Sequence, residues 1–282
     1  MLLQLGRHRI DATGRTAIMA ILNVSRDSPI AASIADPARA IDRAHELLAQ
    51  GAAIIDVGAH STSSRAVEVG AQEEIDRVCP VIAALSAEGV PVSVDTWTPE
   101  VARAAASAGV DLLNDVTGFT DPSMVAVAAD QRIPAVVMHM RGRPHRHYEA
   151  DQAFADVIGE VEAFLLERAA ALEAAGAPRP WLDPGFEFGK SLADNLRLLA
   201  GLPRLIAAGY PVLISASRKG FLAEALGHEK RQDAPGLLEA TLAFHVLAAS
   251  LGVHIVRVHD VAAHAHALHL VAAARPYLGG AD

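Results

Sequence analysis

The stretch PVSVDTWTPEVARAAASAGVDLLNDV, residues 91–116, contains the repeating unit from which the fold can be read. A short Val-rich run covers 91–95, an Ala-rich segment with helical spacing covers 99–108, and a second short run covers 111–114. Short, nearly continuous apolar runs are typical of parallel strands that are buried on both faces. The stretch therefore predicts a strand, a helix and a second strand parallel to the first.

The same alternation occurs eight times along the 282 residues. The predicted strands are Ala17–Val24, Ala53–Val57, Pro91–Asp95, Asp111–Asn114, Pro134–Met138, Pro180–Asp183, Pro211–Ser215 and His254–Val258. The predicted helices are Pro37–Gln50, Gln72–Glu88, Pro99–Ala108, Pro122–Ala129, Phe154–Ala175, Leu192–Leu202, Leu237–Leu251 and Val261–Ala274. This pattern predicts an α/β protein, a single (β/α)8 TIM barrel over residues 1–282, with an open doubly wound sheet as the alternative.

The composition excludes several classes of protein. A total of 24 Lys+Arg against 33 Asp+Glu gives a net charge of −9, which disfavours nonspecific binding to nucleic acid. The single cysteine cannot form a disulfide framework or a thiolate zinc site. We find no signal peptide and no apolar stretch of the ~20 residues that a membrane helix needs. We therefore expect a cytoplasmic protein with no nucleic-acid or membrane partner.

Polar residues end nearly every predicted strand. In a TIM barrel these carboxyl ends form the face that carries the active site. The residues at the ends are Asn23, Asp56, Asp95, Asn114, Asp115, Met138, His139, Asp183, Ser217, Arg218, Lys219, Arg257 and His259. A helix N-cap is the alternative explanation for Asp115 or Ser217, and the end of a turn is the alternative for Asp95-Thr96. The set as a whole predicts a polar binding site.

The residue types indicate what such a site binds. The oxygens of Asp95 and Asp183 and the amide of Asn114 suit a flat heterocycle with ring N–H and amino donors, such as a pterin or guanine. Arg257 and His259 lie between the eighth strand and the last helix, where TIM barrels commonly bind phosphate. The sequence therefore predicts a substrate with a donor-rich planar ring and an anionic group.

Eight short motifs carry these residues. They are IMAILNV (18–24), IIDVG (54–58), SVDT (93–96), NDVTG (114–118), VVMHM (136–140), LDPGFEFGK (182–190), SRKGFL (217–222) and RVHDV (257–261). Their order and spacing resemble those of the dihydropteroate synthase family over nearly the whole chain. The resemblance implies a TIM barrel of folate biosynthesis that uses Mg²⁺. Such an enzyme joins a hydroxymethyl-dihydropterin pyrophosphate to p-aminobenzoate and releases pyrophosphate.

The resemblance also implies a role for individual residues. The implied pterin-binding residues are Asp95, Asn114, Asp183 and Lys219, with Met138 and Phe188 near the ring faces. The implied pyrophosphate-side residues are Asn23, which also binds the metal, Arg257 and His259. The residues implied beside the aminobenzoate are Ser217 and Arg218, and the substrate-binding second loop keeps Thr62. Asp95, Asp183, Lys219 and Arg257 are the implied catalytic set, and the late helices are implied to form a homodimer.

Two loops depart from the family pattern and leave the acceptor open. Residues 23–29 read NVSRDSP where the family has Asn-Val-Thr-Pro-Asp-Ser-Phe, and residues 60–65 read HSTSSR where it has Glu-Ser-Thr-Arg-Pro-Gly. An ordinary synthase with divergent loops is one interpretation. A pterin-binding paralog with altered or lost aminobenzoate activity is the second. A methyltetrahydrofolate methyltransferase is the third, which SRK and RVHD disfavour because methyl transfer has no pyrophosphate to bind.

Two groups of histidines are interpreted without a catalytic role. His139, His145 and His147 lie among arginines, and we expect a solvated loop rather than a metal site. His264, His266 and His269 lie on the last predicted helix without the i, i+4 spacing of metal ligands, and we expect a surface or an interface. Trp97 either forms a wall of the pocket or packs in the core.

Overall fold

The computed structural model describes residues 1–24, 36–60, 69–146, 154–230 and 233–278. Its strands are β1 (Leu2–Leu5), β2 (His8–Asp11), β3 (Ala17–Asn23), β4 (Ile54–Gly58), β5 (Val92–Asp95), β6 (Leu112–Asp115), β7 (Ala135–Met138), β8 (Trp181–Asp183), β9 (Leu213–Ile214) and β10 (Ile255–Val258). Its helices are α1 (Pro37–Ala49), α2 (Ala71–Ala87), α3 (Pro99–Ser107), α4 (Pro122–Asp130), α5 (Val157–Ala174), α6 (Leu192–Ala207), α7 (Gly220–Ala225), α8 (Leu237–Ser250) and α9 (Val261–Leu278).

The strands β3 to β10 form the predicted barrel. All neighbouring pairs are parallel, in the order β8-β7-β6-β5-β4-β3-β10-β9. A parallel bridge between Leu182 and Val212, with the amide of Leu182 donating to the carbonyl of Pro211 at 2.8 Å, brings β8 against the start of β9. The last gap in the ring is thereby spanned, so the TIM barrel prediction is confirmed and the open doubly wound sheet is wrong.

Each barrel strand points alternate side chains to its inner face, because the side-chain period of a strand is two residues. At the amino ends this face is apolar and forms one cluster, which includes Met19, Ile54, Leu112, Val136, Trp181, Leu213 and Ile255. Two or four residues further along, the same face carries Asn23, Asp56, Asn114, Met138, Asp183, Ser215 and Arg257. The lower barrel is thus a packed core, and polar chemistry is confined to the upper end.

An antiparallel hairpin of β1 and β2 closes the lower end of the barrel, which the sequence analysis does not predict. Leu3 and Leu5 are fully buried and join the inner cluster that contains Met19 and Trp181. Because this cluster plugs one end, a substrate can enter only from the opposite end, which we call the mouth.

Helices cover the outside of the barrel. Prolines begin α1, α3 and α4 at Pro37, Pro99 and Pro122, where the missing amide hydrogen of proline removes no helical hydrogen bond. Among the described residues, no helix combines the length and the apolar character that crossing a membrane requires.

Candidate active site

One guanidinium joins two carboxylates at the mouth. Nε of Arg257, from β10, donates to Oδ2 of Asp56 at 2.5 Å, and its Nη2 donates to Oδ2 of Asp95 at 2.6 Å. The amide Nδ2 of Asn114 also donates to Oδ2 of Asp56, at 3.2 Å. Burial opposes the charge of Arg257, but the carboxylates of Asp56 and Asp95 raise its pKa overall. These four side chains form a fixed polar floor across β4, β5, β6 and β10.

Two carboxyl groups of the mouth, those of Asp95 and Asp183, have raised pKa values. Burial is the largest cause and raises the pKa of Asp95 to about 7, with the negative charge of Asp56 adding to it and Arg257 opposing it. Burial likewise raises the pKa of Asp183 to about 6, against the amide of Gly185, which donates to its Oδ1 at 2.7 Å. A ligand that donates hydrogen bonds to these oxygens would favour their ionised form.

Several polar atoms of the mouth are buried without a hydrogen-bond partner among the described residues. They are Oδ1 of Asp56, Oγ of Ser93 and Oδ1 of Asp95. Buried polar atoms of this kind are costly unless they are paired. Two of the three are carboxylate oxygens, so the site is suited to a ligand rich in N–H donors, as the sequence predicts.

Lys219 brings a cation to the opposite side of the mouth. Its Nζ donates to the carbonyl of Phe186 at 2.9 Å and lies 3.9 Å from the ring centroid of Phe188. Burial lowers the pKa of Lys219 to about 8, although Glu187 and Asp183 oppose the shift. The prediction that Lys219 and Phe188 share one site agrees with this contact.

Ser217 and His259 are hydrogen-bonded to each other. Oγ of Ser217 lies 2.9 Å from Nδ1 of His259 and accepts from the backbone amide of His259 at 3.1 Å. Burial, with Arg257 adding to it, lowers the pKa of His259 to about 3. If the hydroxyl donates to Nδ1, the neutral ring carries its hydrogen on Nε2 and keeps one donor for an anion. The alternative explanation, that Ser217 only caps a helix, does not account for its contact with the ring of His259.

The guanidinium of Arg218 binds a carboxylate outside the polar floor. Its Nε and Nη2 donate to the two carboxylate oxygens of Asp260 at 2.9 and 2.5 Å. Its backbone has a φ of +56°, in the left-handed region. Arg218 therefore ties the loop after β9 to the start of α9.

Asp115 is directed away from the mouth. Its Oδ1 accepts from the amide and hydroxyl of Thr117, both at 2.7 Å, and its Oδ2 accepts from the amide of Phe119 at 3.0 Å. The period of two explains this, since Asn114 faces inward and the next residue must face outward. The alternative prediction that Asp115 caps a helix is wrong, because Asp121 caps α4, and Asp115 instead holds the local turn that follows β6.

A buried lysine that the sequence analysis missed holds the loop after β8. Nζ of Lys190 donates to the carbonyls of His139, Gly185 and Phe188, at 3.2, 2.7 and 3.2 Å. Burial lowers the pKa of Lys190 to about 7. Three carbonyl acceptors match the three hydrogens of an ammonium group. The signal in the sequence was a basic residue inside the LDPGFEFGK motif.

Two further predicted residues stand at strand ends, and a third lies outside the described residues. Met138 is buried at the end of β7, beside Asp183 in register. Asn23 ends β3 beside Gly58. Thr62 lies outside the described residues, as do 25–35 and 61–68, where the two loops depart from the family pattern. Asp56 is the residue of the floor that the predicted site set omitted, although its place at a strand end was visible.

The histidines are placed differently from the prediction. His139 is buried against the edge of Phe164, so the expectation of a solvated loop is wrong for it. His145 is half-buried against the rings of His60 and Trp97. His147 lies outside the described residues. On α9 the exposed His266 and His269 agree with the prediction. His264 does not, because it is buried against His245.

Comparison with known proteins agrees with this geometry. A family model described as "Pterin binding enzyme" matches residues 19–259. The chain belongs to the dihydropteroate synthase family. A curated member from Streptococcus pyogenes is 41% identical over 267 residues, which cover 93% of this chain and 96% of the relative.

Solved structures of this family are similar over nearly the whole chain. The Thermus thermophilus synthase in complex with 4-aminobenzoate has a TM-score of 0.86 and 41% identity, and covers 97% of this chain and 99% of its own. The same enzyme in complex with 6HMPPP has a TM-score of 0.83 and 40% identity, and covers 97% and 98%. These family members share the fold of this chain over nearly its whole length.

Proposed function

We propose that this chain catalyses the dihydropteroate synthase reaction of folate biosynthesis. It would condense a dihydropterin-methyl pyrophosphate with p-aminobenzoate and release pyrophosphate. The observation that carries the proposal is the mouth itself, where the inward-facing Asp95, Asn114 and Asp183 face Lys219 and Arg257. Family membership supports it, because relatives have been solved with 4-aminobenzoate and with 6HMPPP. The methyltransferase alternative gains no support from these relatives.

The pterin ring would occupy the floor. Its ring N–H and amino groups would donate to the oxygens of Asp95 and Asp183, and Asn114 would supply an amide to the ring. Lys219 and Phe188 would border one face, with Met138 below. Carboxylates beside the ring stabilise positive charge that develops as the leaving group departs.

In the reaction the C–O bond between the pterin methylene and the pyrophosphate breaks, and its electron pair leaves with the pyrophosphate. The amine nitrogen of p-aminobenzoate forms the new C–N bond and loses one proton, which the released pyrophosphate accepts. Because the amine is neutral and already nucleophilic, the enzyme has to position it rather than activate it. Ser217 and Arg218 are the residues that we propose beside this acceptor.

The leaving group would be received on the side of β10. Arg257 is ion-paired through Nε and Nη2. Its Nη1 lies outside those two contacts, and we propose that it binds the pyrophosphate together with Nε2–H of His259. Both groups stand before the amino end of α9, whose backbone dipole also favours an anion.

Mg²⁺ is the proposed cofactor, and the oxygen ligand available near the mouth is compatible with it. Among the described residues no group of three or more His, Cys, Asp or Glu side chains could hold a metal ion. Mg²⁺ commonly takes one or two protein oxygens together with substrate phosphates and waters, so the amide oxygen of Asn23 beside a pyrophosphate fits. Bound there, Mg²⁺ would neutralise charge on the leaving group.

We further propose a cytoplasmic homodimer. Four large apolar side chains near the last two helices are exposed: Leu247, Leu251, Leu270 and Tyr277. We propose that they form one apolar surface, of the kind that marks protein interfaces. The late helices are also where the family resemblance implies the contact.

The test measures pyrophosphate release from the pterin pyrophosphate with and without p-aminobenzoate. We expect release that depends on p-aminobenzoate and that falls at least about a hundredfold in Asp183→Asn, which removes a charge that would face the pterin. Asp115→Asn, whose side chain faces away from the mouth, is the matched control. Tight pterin binding without release would favour the non-catalytic paralog, and the absence of pterin binding would overturn the proposal.

A further inference from the structure

Two histidines on the last two helices are buried behind the mouth. His245, on α8, and His264, on α9, are 0% and 1% exposed. Nδ1 of His245 lies 2.8 Å from Nε2 of His264. Neither imidazole touches the proposed substrate site, and the reaction described above gives neither of them a task.

The backbone groups at both ends fix the direction of every hydrogen bond in this pair. Nδ1 of His264 lies 2.7 Å from the carbonyl of Asp260, which can only accept, so Nδ1 carries the hydrogen. Nε2 of His264 must then accept from Nδ1–H of His245. Nε2 of His245 accepts from the backbone amide of Ala216 at 3.1 Å, which can only donate.

Both imidazoles are therefore neutral, and all four ring nitrogens are satisfied. A second proton on either ring would place two donors face to face, at Ala216 or between the rings. Burial, the largest cause, lowers the pKa of both His245 and His264, in agreement with this assignment. We call the chain from Ala216 through His245 and His264 to Asp260 the histidine relay.

The histidine relay ends on the two loops that carry Lys219 and His259. Ala216 directly precedes Ser217, Arg218 and Lys219, and Asp260 directly follows His259. The Asp260 carboxylate also binds the guanidinium of Arg218. One turn before His245 on α8, the hydroxyl of Thr241 accepts from the amide of Arg218 at 3.2 Å. Helix α8 thus holds the loop after β9 at two points.

We propose that His245 and His264 are positioning residues for the transferase reaction. The histidine relay sets the loop of Ala216 to Lys219 relative to the start of α9, and so places Lys219 against the pterin and Ser217 against His259. A buried polar network in which every atom is paired specifies one arrangement of the elements that it joins. The expected change in kinetics rests on the proposed function, whereas the expected change in the loop of Ala216 to Lys219 does not.

Two substitutions of His245 test its two contacts one at a time. The amide of Asn lies where Nδ1 of the imidazole lies, so His245→Asn keeps the contact to His264 and loses the acceptor for Ala216. The longer His245→Gln brings an acceptor to the place of Nε2 and keeps the Ala216 contact. Both variants remove the buried ring and should lose similar stability.

A third variant, His254→Ala, provides the matched control, at the amino end of β9. Nδ1 of His254 accepts from the amide of Val212 at 3.0 Å, before β9 begins and far from the mouth. His254→Ala therefore removes the same kind of bond, an imidazole accepting from a backbone amide, without touching the loop after β9.

The experiment measures the steady-state constants of the full-length chain and the hydrogen exchange of the Ala216 amide. We expect kcat/KM for the pterin pyrophosphate to fall roughly ten- to hundredfold in H245N, as small displacements of catalytic groups do. H245Q, which keeps the Ala216 contact but breaks the contact to His264, should show an intermediate loss, and H254A should stay within about threefold of the wild type. The Ala216 amide should exchange faster in H245N alone.

Equal kcat/KM in H245N and H254A, or unchanged exchange at Ala216 in H245N, would overturn the positioning role. A wild-type chain that releases no pyrophosphate would instead refute the proposed function. In that case the exchange of the Ala216 amide still decides whether the histidine relay holds the loop.

Discussion

At the scale of single residues, Gly185 shows how closely the loops of the mouth approach one another. Its φ is +66°, and a Cβ atom there would lie 1.9 Å from the carbonyl oxygen of His139. We predict that Gly185→Ala costs more than about 3 kcal/mol of unfolding free energy, because backbone must move. Gly176→Ala is the control. It also has a positive φ but meets no atom within 4 Å. Urea unfolding compares the two, and equal losses would contradict the argument.

Glu74 is a buried carboxyl group whose protonation affects stability. Burial is the main cause that raises its pKa to about 7, and the charge of Asp95 adds to it. Because the folded state binds this proton more tightly than the unfolded state, stability should fall as the pH rises from about 4.5 to about 7. Glu74→Gln cannot ionise and should lose this dependence.

The advantage of Glu74→Gln over the wild type should therefore grow by about 2 kcal/mol between pH 5 and pH 8. Urea denaturation at the two pH values measures it. Glu73→Gln, on an exposed side chain in the same helical turn, should show no such growth. An advantage of Glu74→Gln that shrinks towards pH 8 would mean that Glu74 is stabilised as a carboxylate.

Residue types at strand ends could be predicted from the sequence, but their partners could not. Asp95, Asn114, Asp183 and Arg257 follow from the period of two and from the carboxyl-end rule of barrels. Arg257 contacts Asp56 because of the order in which the strands form the ring. That order is a property of the whole sheet. Lys190 was missed because its three acceptors are backbone carbonyls, which no residue type in the sequence marks.

At the scale of elements, the amino-terminal hairpin acts as part of the barrel core. Leu5 on β1 is fully buried in the inner cluster, whereas Leu2 on the same strand is 57% exposed. We predict that Leu5→Ala costs about 2–5 kcal/mol, because it leaves a cavity under the barrel. Leu2→Ala should stay within about 0.5 kcal/mol. Thermal or urea unfolding measures both, and a similar small loss in the two would show that the hairpin is dispensable.

Element boundaries were predictable where local chemistry marks them. Pro37, Pro99 and Pro122 begin helices as predicted, since their signal lies in the first turn itself. The hairpin was missed because four-residue strands give too little alternation to stand out. The strand predicted over Pro211–Ser215 shortens to β9, Leu213–Ile214, because the following loop is held by α8 rather than by a neighbouring strand.

At the scale of the whole molecule, the net charge of −9 opposes the binding of an anionic substrate. The cations of the mouth are few and buried, and Arg257 is matched by two carboxylates. Affinity for pyrophosphate must therefore come from local donors, a helix terminus and the proposed Mg²⁺, and not from the field of the protein.

The proposed homodimer would bury the apolar surface near the last two helices, and this too is a property of the whole molecule. Leu247 on α8 and Leu270 on α9 are 56% and 69% exposed. We predict that the double variant Leu247→Glu, Leu270→Glu sediments as a monomer, because two charges on each subunit would be desolvated at the contact. Leu196→Glu on α6, a residue that is 47% exposed, is the control and should leave the dimer intact. A wild-type chain that sediments as a monomer, or a double variant that stays dimeric, would remove this surface as the interface.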